Sequence, residues 1–173
     1  AYMNRKSARC LAILFLAGGI AVIVMACAAG ISNQARSQVT FNQGFDQFRS
    51  DAGDLIGETV MFGGRIIEIH NRDGVSELTV LQLPLDRRQR PRAGDQSMGR
   101  FLLVTDQFLD PVLYTNGVLV TAVGRLTAVE SRQIDQMAYA YPKIEATEIK
   151  RWAPDELWGG PRIRFGVGVG TSF

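Results

Sequence analysis

Three groups of side chains in this sequence have chemistry that their surroundings could use. The first is the thiol of Cys27, preceded by small Ala26 and, two residues earlier, by aliphatic Val24. A thiol can take a thioether-linked diacylglyceryl group. A small residue on its N-terminal side lets a peptidase reach the 26–27 bond, and the amino group so released can itself be acylated. The second group is Arg87-Arg88-Gln89-Arg90-Pro91-Arg92, four guanidinium groups within six residues. Guanidinium grips phosphate oxygens in pairs, so the run suits an anionic head group or another phosphate-bearing polyanion. The same run is also the pattern of a solvated surface loop. The third is His70, the single imidazole of the chain. A nucleophile–His–acid triad would have to use it, yet no nucleophile-elbow sequence occurs. Its place beside Asn71 at a strand end marks a structural histidine. Asp106 and Asp110 could pair as acid and base, but Asp110 directly before Pro111 is a helix N-cap in its own right. No catalytic residue is expected. One His and two Cys in 173 residues leave no metal-ligand cluster to expect, and the expected cofactor is none, apart from covalent lipid on Cys27.

The element that would deliver Cys27 is the N-terminal segment. Met3 is taken as the initiator. Arg5, Lys6 and Arg9 form a basic stretch without acids, and residues 10–30 carry no charge. A basic n-region, an apolar h-region and small residues at its end make a secretory signal peptide. Val24-Met25-Ala26-Cys27 resembles the bacterial lipobox, with cleavage between Ala26 and Cys27. The alternative is an uncleaved signal anchor, because some 20 apolar residues suffice to span a bilayer. Cleavage removes three of the 19 basic residues and no acid, leaving 16 against 17 acids and a net charge of −1. Such a balance does not describe a nucleic-acid binder. Cys10 leaves with the leader, so Cys27 becomes the lone mature cysteine and acylation accounts for it. One acyl chain holds a protein only marginally, whereas three hold it firmly. Ala28, where an acid would favour the inner membrane, indicates the outer membrane. The expected location is therefore the cell outer membrane, lipid-anchored and facing the periplasm.

Beyond the anchor, residues 28–40 are small and polar and read as a flexible tether. Phe41, Phe45 and Phe48 recur at helical spacing, predicting a short amphipathic helix over 43–52 that plugs a core. Strands follow at 59–69, 75–83, 100–105, 118–130 and 139–152. Asn71-Arg72-Asp73-Gly74 makes the first hairpin turn, and Asp110–Tyr114 a single helical turn. Val60 and Phe62 share one face of the first strand while Ile67 and Ile69 share the other, which places a bend at Gly63-Gly64. That glycine pair lacks the spacing of a phosphate loop. Five strands, a helical element between the third and fourth, and glycine bends describe a mainly β, small OB-like barrel, with a flattened β-sandwich as the alternative. Stacking aromatics of the kind that bind single strands are limited to Tyr139 and Tyr141, so nucleic acid is not an expected partner. The chain divides into a lipoprotein signal peptide (1–26), a lipidated cysteine with a flexible tether (27–42), a barrel domain (43–152) and a Gly-rich flexible tail (153–173).

Several strings together resemble the Slp family of outer-membrane lipoproteins, named for starvation-inducible members. They are Gly63-Gly64-Arg65-Ile66-Ile67 with Asn71, Pro84-Leu85-Asp86, Ser97-Met98-Gly99-Arg100-Phe101 and Phe108-Leu109-Asp110-Pro111. Tyr114 to Gly117, Val120-Thr121-Ala122-Val123-Gly124 and Tyr139-Ala140-Tyr141-Pro142 complete the set. Asp135 stands where the family often carries Gly. The resemblance implies lipidation at Cys27, an outer-membrane address and a non-enzymatic structural or stress-related role in the envelope. The partners implied are the bacterial membrane, through the anchor, and other envelope proteins. The residue-level alternative is a binding module that takes an anionic envelope ligand on Arg87, Arg88, Arg90 and Arg92.

Overall fold

A computed structural model describes residues 30–92, 94 and 96–153. Cys27, the leader and the segment 154–173 lie outside the described residues, and with them the expectations of cleavage, acylation and a flexible tail. The five strands are β1 (Thr59–Arg72), β2 (Val75–Gln82), β3 (Arg100–Thr105), β4 (Leu119–Ile134) and β5 (Met137–Trp152). They close in the order β1-β2-β3-β5-β4, with β1 also paired to β4. Only β3 and β5 run parallel. This is the OB barrel topology, and the sandwich alternative falls away because closure leaves no second sheet.

The first strand serves two neighbours in turn. Residues 59–65 pair with β4 and residues 64–72 with β2. The handover occurs at Gly63-Gly64, where backbones approach too closely for a side chain. A Cβ on Gly64 would overlap the Leu81 carbonyl, and one on Gly63 would stand 2.7 Å from the Val120 oxygen. The change of face lies elsewhere than at the glycines. Val60, Phe62 and Ile66 all point into the core, and the register breaks between Ile66 and Glu68. The extra residue, Ile67, turns partly outward, and Ile69 returns to the core. The bulge is therefore at Ile67, because the glycines bend the strand without adding a residue.

Helix α2 (Phe45–Ser50) closes one end of the barrel. Phe45 and Phe48 pack on Phe62 with ring centroids 5.1 and 4.8 Å apart, and Phe101 joins them. Leu109, on the β3–β4 connection, is buried against the same core. Asp110 caps the turn beyond it by accepting from the Val112 N–H at 2.8 Å. Past residues 125 and 143 the long β4–β5 hairpin has no other strand partner. Its turn places Asp135 at φ 54, a left-handed conformation that Asp tolerates better than most residues. Arg132 ties this hairpin to β2 by a two-pronged pair with Glu77 at 2.7 and 3.0 Å. Glu130 bridges Arg132 and Lys143 at 2.7 and 2.6 Å.

Residues 30–42 are not slack. A short helix, α1 (Asn33–Ser37), lies on the barrel wall. Ile31 and Ala35, 3% and 6% exposed, pack on Val123 with Met61 and Val39. Ser32 caps it and bonds Glu148 through both its N–H and its hydroxyl. The expected tether is therefore corrected over this stretch. Its polar composition hid two apolar residues four apart that match an apolar spot on the outer face of the β1–β4 pair.

Candidate functional site

The arginine-rich connection between β2 and β3 is folded back on itself by one carboxylate. Asp86 Oδ1 accepts from the backbone N–H of Arg88 at 2.7 Å and of Arg90 at 3.0 Å. The Asp86 N–H donates to the Arg90 carbonyl at 2.8 Å, and Leu85 bridges to Pro91. Gln89 sits at the tip with φ 64. The loop is then pinned to the barrel. Thr121, 0% exposed, donates its hydroxyl to the Gln89 carbonyl at 2.6 Å and accepts from the Trp152 indole N–H at 3.0 Å. The Gln89 side chain accepts from the Ile31 N–H at 3.0 Å, so α1 and the loop hold each other.

Between them opens a groove of about 970 Å³. Arg36 comes from α1, Arg87, Arg88, Arg90 and Arg92 from the loop, and Lys150 from β5. Trp152 forms its apolar side, with the Arg90 guanidinium 6.0 Å and the Lys150 ammonium 5.4 Å from the ring centroid. That geometry lets the indole face hold cations that have no counter-charge. Among the described residues Asp86 is the one acid lining the groove, and its Oδ1 already serves two backbone donors. None of the six cations takes part in the ion pairs formed among the described residues, which involve His70, Arg132 and Lys143 instead. Six positive charges thus line one open space, with Arg36 also donating to the Asn33 side chain at 3.4 Å. Guanidinium forks arranged in this way match phosphoryl oxygens.

The four arginines singled out in the sequence are therefore brought together, and three partners were missed. Lys150 and Trp152 alternate on β5, so they share a face, and that spacing was legible once the strand was drawn. Arg36 was hidden in the supposed tether. His70 lies away from the groove, 3.0 Å from Glu68, with both side chains about half exposed. Tyr141 is 4% exposed, and the Tyr139 hydroxyl accepts from the Arg100 N–H at 2.8 Å. The Tyr139 ring is half-buried, 4.8 Å from the Tyr141 ring and with the Arg49 guanidinium 5.9 Å from its centroid. Among the described residues no cluster of His, Cys, Asp and Glu could hold a metal ion, and no helix is long and apolar enough to cross a membrane.

Comparison with known proteins adds the context. The chain is similar to the uncharacterized lipoprotein YeaY of Escherichia coli K12, 31% identical over 137 residues that cover 79% of this chain and 70% of the relative. It is also similar to the outer membrane protein Slp of the same strain, 26% identical over 134 residues covering 77% and 71%. Among solved structures, a small single-stranded DNA-binding protein from Streptomyces coelicolor aligns with a TM-score of 0.38 and 13% identity, over 55% of this chain and 94% of that one. The model of the outer membrane lipoprotein Slp family matches residues 24–161, which takes in Cys27, α1, the arginine loop and the whole barrel. An envelope lipoprotein barrel with an OB topology is what these observations describe, and the chain belongs to the Slp family of outer membrane lipoproteins.

Proposed function

We propose that this protein is a non-enzymatic binding module of the envelope, held in the outer membrane by acyl chains on Cys27 and facing the periplasm. Its groove takes phosphate-bearing anions, and through them the barrel braces envelope components under stress. The observation that carries this reading is the convergence of Arg36, Arg87, Arg88, Arg90, Arg92 and Lys150 around one space where, among the described residues, the one lining acid, Asp86, has an oxygen engaged by two backbone N–H groups. Cations that close repel one another unless an anion joins them, which is the mark of a binding surface rather than of a stability device. A nucleic-acid ligand is disfavoured by the engaged tyrosines, because single strands need free aromatic faces.

Two measurements test the proposal. Intact-mass analysis of membrane-extracted protein is expected to show a chain starting at Cys27 and carrying three acyl groups. A Cys27→Ser protein that is still processed and still sediments with membranes would refute the anchor. For the groove, the soluble chain from Ala28 onward is suitable, since every core cluster lies within residues 31–152. Replacing Arg87, Arg88, Arg90 and Arg92 by Gln is expected to weaken binding to phosphatidylglycerol vesicles by about two to three orders of magnitude, at roughly 1 kcal/mol per basic side chain near an anionic surface. Unchanged binding would remove the groove from the function.

A further inference from the structure

The distance between the anchor and the groove is limited by the chain itself. Gly30 lines the groove, and Ile31 directly after it is buried and hydrogen-bonded to Gln89 of the arginine loop. Cys27 precedes Gly30 by three residues. Three residues reach at most about 11 Å when fully extended. Fixed by α1 on one side and by acyl chains on the other, the groove cannot swing far from the bilayer surface. A soluble ligand or an opposing membrane would need the cations to face away from the anchor. A link this short instead sets them against the head groups surrounding the anchor, within about one or two screening lengths of the surface.

We infer that the groove binds the phosphodiester head groups of the leaflet that holds its own lipid anchor, so that the barrel rests on the membrane in one orientation with its Arg36–Arg90–Lys150 face down. This rests on the proposed acylation of Cys27 and on the anion-binding groove. The link determines the source of the phosphate, a lipid in cis, which the charge pattern alone does not.

The mature chain offers an internal gauge, because Lys143 and Lys150 are its only lysines. Lys150 lines the groove, whereas Lys143 is held by Glu130 on the distal hairpin. Full-length acylated protein, verified by intact mass, would be reconstituted into vesicles of phosphatidylcholine with or without phosphatidylglycerol. It would then be exposed briefly to an amine-acylating reagent and read by peptide mass spectrometry. The expected result is that Lys150 is labelled roughly fivefold more slowly relative to Lys143 when phosphatidylglycerol is present, the factor that one basic contact with an anionic surface supplies. Arg88→Gln with Arg90→Gln is expected to restore labelling. Equal labelling in both vesicle types would overturn the inference. If the soluble chain from Ala28 still binds phosphatidylglycerol vesicles in that case, the groove reading stands and only the cis arrangement is wrong. If it does not, both fall. Protein anchored in phosphatidylcholine vesicles that captures separate phosphatidylglycerol vesicles would likewise overturn the cis arrangement, because its groove would then face away from its own leaflet.

Discussion

Thr121 is the residue on which the groove's shape depends, although it carries no charge. Its hydroxyl is fully buried and does two jobs, donating to Gln89 O and accepting from Trp152 Nε1. Thr121→Val keeps the volume and removes both bonds. The indole N–H is buried, and leaving such a donor without a partner costs about 1–3 kcal/mol. The Gln89 carbonyl is partly exposed and can find water, so its loss adds about 0.5–1 kcal/mol. The sum is about 2–4 kcal/mol, which in a domain of this size lowers Tm by about 10 °C. Thr121→Ser keeps the hydroxyl and loses one methyl, for about 1 kcal/mol. Thermal denaturation by circular dichroism measures all three proteins. The loop also loses its pin in the valine variant, so affinity for phosphatidylglycerol vesicles falls although no charge has changed. If Thr121→Val melts close to the wild type, or if the serine variant is as unstable as the valine one, the hydroxyl is not what holds the loop and the preorganisation argued for the groove is wrong.

Asp86→Asn retains an oxygen for the Arg88 and Arg90 N–H groups while removing the one acid that lines the groove among the described residues, so vesicle binding should tighten roughly two- to fivefold at low salt; weaker binding would show that the carboxylate's charge is needed to hold the loop. Gly64→Ala places a methyl on the Leu81 carbonyl and should cost about 3 kcal/mol or more in urea denaturation, whereas Gly53→Ala, which meets nothing within 4 Å, should stay within about 0.5 kcal/mol of the wild type. The hydrogen bond from Lys143, with Arg132 beside it, holds the Glu130 carboxyl below its ordinary value of 4.5. A folded-state value below the unfolded one contributes stability that is complete above the ordinary value and disappears as the pH drops through the folded value. Glu130→Gln should therefore be less stable than the wild type at neutral pH, with the two melting curves converging in acid; a gap that persists unchanged in acid would mean the ion pairs are not its source.

Much of this molecule was written in local patterns. The hairpin at Asn71–Gly74, the strand Arg100–Thr105, the cap at Asp110 and the aromatic plug of Phe45 and Phe48 follow from turn chemistry and periodicity, because each is decided by residues close in the chain. The five-strand count and the glycine bends led to the barrel for the same reason. The arginine run was visible as composition. What composition could not show is whether those arginines point at water or at one another's ligand. That was decided by long-range contacts: Thr121 and Trp152 arrive from strands far along the chain to pin the loop, and Lys150 comes with them. The sequence also misled where a weak local signal met a strong distant one. Residues 30–42 have the makeup of a linker, yet Ile31 and Ala35 find Val123 across more than eighty residues of sequence and become part of the wall. Periodicity reports which face of an element is apolar; only the closed barrel shows which other surface is waiting for it, and here that surface takes up Ile31, four residues after the cysteine and next to the arginine loop.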